Sequence, residues 1–147
     1  MLYIVRELID FAARSSQTDV VKALQFLNNT TRHKSIVFVL SDFADAGYAD
    51  ALRVASKRHD VVGVQVYDKR DEQLPPVGLV QVQDAETGKI VMLDTSDAFT
   101  QQKYKEQFQQ VLTDARVAFR RAGADLMQVS TGDDYVKLLQ QFFIRRA

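Results

Sequence analysis

Oxygen-bearing side chains follow the predicted parallel strands at their carboxyl ends. They are Ser41 and Asp42 after residues 36–40, Asp68 after residues 61–66, and Thr131 after residues 125–129. In open α/β sheets, ligands bind in the crevice outside the carboxyl ends of the strands. Thr18, which precedes the second predicted helix, adds a further hydroxyl. Because Mg²⁺ takes oxygen ligands, often one or two carboxylates with hydroxyls and waters, these residues are candidates for a magnesium site.

The same side chains also have a purely structural interpretation. Thr18 and Thr131 stand where helix caps belong, and Asp42 stands where it would cap the loop that follows its strand. A cap satisfies backbone N–H groups and needs no ligand. The residues by themselves leave both interpretations open.

The sequence lacks the usual constellations of catalytic residues. It has no Gly-x-Gly-x-x-Gly and no Gly-rich loop ending in Lys-Ser or Lys-Thr. Its two histidines have no paired metal-ligand spacing. His59 has an adjacent aspartate, but Ser41 lacks the glycines of a nucleophile elbow. We therefore expect no catalytic activity, and the alternative is a magnesium-dependent hydrolase or phosphate-handling enzyme that uses Asp42 and Asp68.

Apolar periodicity predicts an α/β fold for the elements that position these residues. Helices are predicted at residues 2–13, 18–29, 48–57, 97–122 and 133–145, and parallel strands at 36–40, 61–66 and 125–129. Two further runs, 79–82 and 90–93, flank Gly88 and predict a hairpin, which we expect to extend the sheet at one edge. Five consecutive apolar residues at 36–40 are typical of a strand that is buried on both faces.

Composition limits the class of protein. The chain has 147 residues and no cysteine, with 46% hydrophobic and 26% charged residues, which is typical of one globular domain. Lys plus Arg and Asp plus Glu balance at 19 each, so we expect no nucleic-acid partner. No apolar run reaches the roughly 18 residues of a membrane span, so we predict a cytoplasmic protein without a membrane partner.

Several segments closely resemble one bacterial family, the domain of unknown function 58. They follow the family's order along nearly the whole chain: TDVVKAL at 18–24, SIVFVLSDF at 35–43, RHDVV at 58–62, LP at 74–75, GLV at 78–80, DTSD at 94–97 and DYV at 134–136. The C-terminal half of that family is similar to a von Willebrand factor A domain. The resemblance implies a three-layer α/β sandwich that acts as a non-catalytic interaction or assembly module. It also implies a MoxR-type AAA+ ATPase as the partner.

The resemblance further implies the remnant of a metal-ion-dependent adhesion site. A von Willebrand A domain binds Mg²⁺ through an Asp-x-Ser-x-Ser loop, a distant Thr and a later Asp. Thr18 matches the distant Thr and Asp42 matches the later Asp. The Asp-x-Ser-x-Ser loop is absent, since residues 94–98 imitate only its first half and follow the hairpin. We therefore expect no cofactor here, with Mg²⁺ possible only in a longer form.

The family fold also has strands that precede Thr18. We therefore expect residues 1–147 to form a single von Willebrand A-like domain that lacks its N-terminal strands. One missing strand would neighbour strand 36–40, so an apolar edge should be open, and open edges template pairing with other chains. We expect a homodimer, formed through that edge or by exchange of the N-terminal helix.

Overall fold

A computed structural model describes residues 2–12, 18–84 and 87–146 and confirms the α/β fold. The helices are α1 (Leu2–Asp10), α2 (Val20–Thr30), α3 (Ala49–Arg58), α4 (Ala98–Ala122) and α5 (Tyr135–Arg146), with one 3₁₀ turn at Lys69–Glu72. The strands are β1 (Ile36–Ser41), β2 (Asp60–Tyr67), β3 (Leu79–Gln83), β4 (Ile90–Asp94) and β5 (Asp125–Ser130). Within these described residues, no helix combines the length and apolar character that crossing a membrane requires.

The main sheet consists of three parallel strands in the order β1-β2-β5. Ile36 pairs with Asp60, and Val62 pairs with Asp125, which places β2 in the middle. Parallel pairing was predicted and is confirmed. Since the three strands run in one direction, their carboxyl ends share one edge of the sheet, which we call the rim.

The hairpin is antiparallel as predicted, but the expectation that it extends the main sheet is wrong. β3 and β4 form a separate two-stranded sheet with Leu79 opposite Asp94. The buried Thr95 fixes the base of the hairpin instead. Its hydroxyl donates to the Gly78 carbonyl at 2.9 Å and accepts from the Val77 N–H at 3.1 Å. These bonds hold both ends of the hairpin to each other rather than to the edge of the parallel sheet.

β1 lies at the edge of the sheet, so the prediction of a strand buried on both faces is wrong. In the described part of the chain it pairs with β2 alone. Ile36, Phe38 and Leu40 are 65%, 43% and 69% exposed, whereas Val37 and Val39 pack against the core. The run of apolar residues therefore belongs to an edge strand that is half covered.

Helices cover both faces of the sheet, which confirms a three-layer arrangement. On one face, α2, α3 and α4 enclose the larger core: Val20, Leu24, Phe43, Tyr48, Leu52, Ala55, Val61, Ala115 and Phe119. On the other face, Phe142 of α5 packs against Val62, Val64, Met127 and Val129. α5 leaves the outer side chains of β1 largely uncovered.

The helix ends differ from the prediction by a few residues because the caps lie outside the helices. Asp19, not Thr18, caps α2: its carboxylate accepts from the Lys22 N–H at 2.8 Å and pairs with the Lys22 ammonium at 2.8 Å. The predicted starts at 18, 48, 97 and 133 are likewise early by one or two residues. Residues 11 and 12 are not helical, so α1 ends before the predicted residue 13, which is outside the described residues. The C-terminal end of α4 at Gly123, with φ +70°, is as predicted.

Candidate functional site

Three of the predicted site residues line one pocket at the rim. Asp42, Asp68 and Thr131 share a cavity of about 510 Å³, which we call the rim pocket. Its other lining residues come from the loop after β1, the end of β2, the 3₁₀ turn and α4: Ala44, Val66, Tyr67, Asp71, Tyr104, Gln107, Phe108, Val111 and Leu112. The carboxyl ends of all three parallel strands therefore contribute to it, with α4 as the facing wall.

Ser41 and Asp42 organise the turn that leaves β1. The Ser41 hydroxyl accepts from the Phe43 N–H at 3.0 Å, and the Asp42 carboxylate accepts from the Ala44 N–H at 3.1 Å. Phe43 adopts the left-handed conformation, with φ +54°, and buries its ring in the core. A residue with a side chain rarely takes this conformation, so the two side-chain bonds support a strained turn.

Asp68 also serves the local backbone. Its carboxylate accepts from the Arg70 N–H at 2.9 Å and so caps the 3₁₀ turn that follows β2. The Thr131 N–H donates to the Tyr67 carbonyl at 2.9 Å, which joins the ends of β2 and β5. Three of the oxygen-bearing side chains predicted for the site, those of Ser41, Asp42 and Asp68, therefore shape the rim directly.

An ion pair closes the rim beside the pocket. The Lys69 ammonium lies 3.1 Å from the Asp133 carboxylate, which also accepts from the Ser130 N–H at 3.1 Å. The hydrogen bond from Lys69 is the main reason that the pKa of Asp133 lies below its ordinary value, and the same bond raises the pKa of Lys69. This pair fixes the loop after β5 to the loop after β2.

Thr18 does not line the rim pocket. It lies near the start of α2, where the Val20 N–H donates to the Asp45 carboxylate at 3.1 Å. That bond connects the start of α2 to the loop after β1. Asp42 lines the rim pocket and Thr18 does not, so the two predicted metal ligands do not line this pocket together. Among residues 2–12, 18–84 and 87–146, no group of three or more His, Asp or Glu side chains is placed to hold a metal ion. The donors in this described part of the chain do not fit a magnesium site.

The α4 wall of the rim pocket contains aromatic residues, which the sequence analysis did not predict as part of the site. The rings of Tyr67 and Phe108 meet edge to face with centroids 5.9 Å apart. Tyr104 lies half-buried in the same wall, and burial together with the nearby Asp71 raises the pKa of its hydroxyl. Both α4 aromatic residues follow the apolar periodicity of that helix, so in the sequence they resemble ordinary core residues.

A pair of glutamines, the buried Gln65 and the half-buried Gln128, supports the residues of the rim. The Gln65 amide donates to the Asp42 carbonyl at 2.8 Å, and its oxygen accepts from the Gln128 amide at 2.7 Å. Gln128 also donates to the Leu112 carbonyl at 2.9 Å and accepts from the Arg116 guanidinium. This network joins β1, β2, β5 and α4, and so holds three walls of the pocket in register. In the sequence, this network is indicated only by one glutamine in each of the predicted strands 61–66 and 125–129.

Comparison with known proteins places the chain in a family. Residues 1–114 match the family model described as "Protein of unknown function DUF58". The chain is a DUF58 protein. The resemblance that the sequence motifs indicated is thereby confirmed.

The relatives of this DUF58 chain include mycobacterial proteins. An uncharacterized protein of Mycobacterium avium is 28% identical over 125 residues, which cover 84% of this chain and 73% of the relative. Uncharacterized proteins of Mycobacterium bovis and Mycobacterium tuberculosis are each 29% identical over 129 residues. The match covers 87% of this chain but only 40% of those longer proteins.

A solved structure can be compared with this DUF58 chain. It is the conserved hypothetical protein BatB from Bacteroides thetaiotaomicron, with a TM-score of 0.44 and 15% sequence identity. The superposition covers 87% of this chain and 58% of BatB.

Proposed function

We propose that this DUF58 domain is a non-catalytic protein-interaction module and that the rim pocket is its binding surface. The observation that carries the proposal is the pocket's lining. Tyr67, Tyr104 and Phe108 form an apolar wall, and such aromatic residues are enriched in the energetically important centres of protein interfaces. The neighbouring polar groups of Asp42 and Asp68 accept hydrogen bonds from their own backbone turns, which suits a rigid docking site.

The charge of the pocket indicates what the partner presents. Asp42, Asp68 and Asp71 lie around an aromatic and aliphatic floor. A lysine or arginine side chain of the partner matches both features, because its stem is apolar and its head is cationic. Arginine in particular also stacks on aromatic rings such as that of Tyr104.

The proposed partner of the whole protein is a MoxR-type AAA+ ATPase. This part of the proposal rests on the resemblance of the sequence motifs to the domain of unknown function 58, as does the von Willebrand A-like architecture. The chain spans 40% of the length of two of the curated relatives, so further parts of such proteins would contribute to their own complexes. The rim pocket is the surface that we assign to this chain.

Reversing one exposed charge in the rim pocket should weaken partner binding more than the same change elsewhere on the surface. Asp71 lines the pocket and its side chain is exposed. We expect Asp71→Lys to weaken binding of the MoxR-type ATPase of the same organism at least tenfold in calorimetric titration, because like charges would meet at the contact. Glu106→Lys makes the same change on α4 outside the pocket and should leave the affinity within about twofold. Equal effects of the two variants on the affinity, or no binding by the wild type, would contradict the proposal that the rim pocket binds this ATPase.

The proposal includes no tightly bound divalent cation. Asp42 and Asp68 accept backbone hydrogen bonds, and two separated carboxylates would leave Mg²⁺ largely hydrated. We expect calorimetric titration with MgCl₂ or MnCl₂ to give a dissociation constant weaker than about 1 mM. Micromolar affinity that Asp42→Asn abolishes, while Asp114→Asn does not, would overturn this expectation. The hydrolase alternative would be favoured if the wild type turned over phosphate or ester substrates in the presence of Mg²⁺ and if Asp42→Asn or Asp68→Asn abolished that activity.

A further inference from the structure

A second cavity adjoins the rim pocket between α3 and α4, and we call it the interhelical pocket. Its volume is about 510 Å³, and Ala44 and Val111 line both cavities. The loop after β1 and the first turns of α3 form one wall, and α4 forms the other wall from Val111 to Ala122. α3 contacts β2, and α4 contacts β2 and β5, so the pocket lies away from the outer edge of β1.

The hydroxyl of Tyr48 is an unexplained polar group in this pocket. Tyr48 is 5% exposed and lines the pocket, and its ring packs against Phe43 with centroids 5.5 Å apart. In the described part of the chain the hydroxyl makes no hydrogen bond, and it does not cap α3 although Tyr48 holds the N-cap position. A polar group that is removed from water normally has a partner, because burial without one costs free energy. The hydroxyl is therefore available to a group that enters the pocket.

Negative charge lies close to this hydroxyl. Burial together with the charges of Asp114 and Asp45 raises the pKa of Tyr48 to about 12. Both carboxylates line the pocket, Asp114 from α4 and Asp45 from the loop after β1. A third acidic residue, Asp50, pairs with Arg53 at 3.1 Å and lies in the first turn of α3, where it offsets the positive end of the helix dipole. The electrostatic field at the hydroxyl therefore favours a cation.

The rest of the pocket is suited to the stem of a long side chain. Four aliphatic residues of α4 lie along its length: Val111, Val117, Ala118 and Ala122. Arg121 lies at the far end, since it follows Asp114 by seven residues, or about 10 Å along the helix axis. A lysine combines an apolar stem with a compact ammonium group that donates three hydrogen bonds. Such a side chain matches an aliphatic wall that ends at a hydroxyl and two carboxylates.

We propose that the interhelical pocket binds a lysine side chain of the same partner segment that occupies the rim pocket. This inference rests on the proposed function, because that function assigns the rim pocket as the binding surface. The ammonium group would donate to the Asp114 carboxylate and to the Tyr48 hydroxyl oxygen. A segment that crosses Ala44 and Val111 reaches both cavities, so the partner presents two basic side chains close together in space.

The first experiment tests the interhelical pocket without the partner. Lysine that is blocked at both ends, as the Nα-acetyl N-methylamide, is titrated into the isotope-labelled chain while backbone amide chemical shifts are followed. We expect saturable shifts at Gly47, Tyr48 and Asp114 with a dissociation constant of about 1–10 mM. The same compound acetylated on Nε keeps the stem but lacks the charge, so it should leave these amides unchanged.

Two conservative variants identify the groups that hold the ammonium. Tyr48→Phe and Asp114→Asn each keep the shape of the side chain, and each should weaken binding of blocked lysine in this pocket at least threefold. Glu106→Gln removes an acidic charge from α4 at a position that lines neither pocket, so it should leave the affinity unchanged. The urea midpoint of Tyr48→Phe should equal that of the wild type, because the hydroxyl has no partner among the described residues. A hydroxyl with a structural role would lower that midpoint.

The second experiment tests whether the partner uses both pockets. Asp114→Lys should weaken binding of the MoxR-type ATPase at least fivefold in calorimetric titration, because like charges would meet at the contact. The loss should be smaller at high salt, since Asp114 is exposed. If Asp71→Lys weakens binding and Asp114→Lys does not, the rim pocket remains the binding surface and the present inference is overturned.

The two experiments separate failure of this inference from failure of the proposed function. The interhelical pocket does not bind lysine if blocked lysine leaves the amides of Gly47, Tyr48 and Asp114 unchanged. Equal affinities of the wild type, Tyr48→Phe and Asp114→Asn would likewise overturn the assignment of the two groups. If blocked lysine binds as expected but the ATPase does not bind the wild type, the site for lysine is supported and its assignment to this partner is overturned.

Discussion

Replacing Gly63 by alanine should destabilise the domain by about 3 kcal/mol. Gly63 lies in the middle strand, and Phe119 of α4 packs directly over it. A Cβ at this position would overlap the Phe119 ring carbons Cε1 and Cζ and would lie 2.8 Å from Leu126 Cδ1. The Phe119 ring is buried and held by the Phe43 ring, with centroids 5.1 Å apart, so it has little room to move. Urea unfolding measures the loss directly.

Two comparisons show whether steric overlap is the cause. Gly132→Ala adds the same methyl group where nothing lies within 4 Å, so we expect a change within about 0.5 kcal/mol. Phe119→Leu removes ring atoms from the crowded position, so its combination with Gly63→Ala should cost less than the sum of the single changes. Additive costs, or a neutral Gly63→Ala, would show that α4 packs on the sheet differently.

Replacing Gln65 by leucine should cost about 2 kcal/mol and loosen the turn at Asp42. Gln65 is fully buried and bonds the Asp42 carbonyl and the Gln128 amide at once. Leucine has a similar volume but leaves both groups without this partner, and each unsatisfied buried group costs about 1–3 kcal/mol. Because the turn shapes the rim pocket, affinity for the proposed partner should fall as well.

The cost should depend on the network and not on the loss of a glutamine as such. Gln110→Leu on the exposed side of α4 should change the unfolding free energy by no more than about 0.5 kcal/mol. Gln65→Leu combined with Gln128→Leu removes both ends of one partly buried hydrogen bond and should be less costly than the two single changes added together. A neutral Gln65→Leu would mean that the structure of the rim does not depend on the hydrogen bonds of Gln65 and Gln128.

The parallel strands and their ends could be predicted because local chemistry specifies them. Largely apolar runs at 61–66 and 125–129 are followed by polar turn-forming residues, and Gly123 ends the long helix where φ is positive. The same logic located Asp42, Asp68 and Thr131 at the rim, since parallel strands bring their carboxyl ends together.

Strand order was less accessible from the sequence. The run at 36–40 looks the same whether its neighbours are one strand or two, because apolar content does not record which edge is paired. Likewise, the hairpin pattern specifies that β3 pairs with β4 but not whether either strand joins the main sheet. The bonds from Thr95 that decide its position are formed by a residue beyond both strands.

The sequence predicted the polar residues of the rim pocket but not its aromatic wall or the glutamines that support it, because their roles depend on tertiary contacts. Tyr104 and Phe108 fall at core-like spacing in α4, yet in the structure they face a pocket. Gln65 and Gln128 lie in runs that are otherwise apolar, where a buried amide is costly unless it is paired. That pairing depends on the β2–β5 register, in which Gln65 lies directly opposite Gln128, and no single segment encodes it.

Mapping the bound partner onto the chain tests the central claim most directly, namely that the rim is the interaction surface. Backbone amide chemical shifts of the isotope-labelled chain would be followed during titration with the MoxR-type ATPase. The account predicts that the largest changes cluster at the rim, at Asp42, Asp68, Asp71, Tyr104 and Thr131. Changes concentrated at the opposite end of the sheet, around His59 and Asp125, or no changes at saturating ATPase, would contradict it.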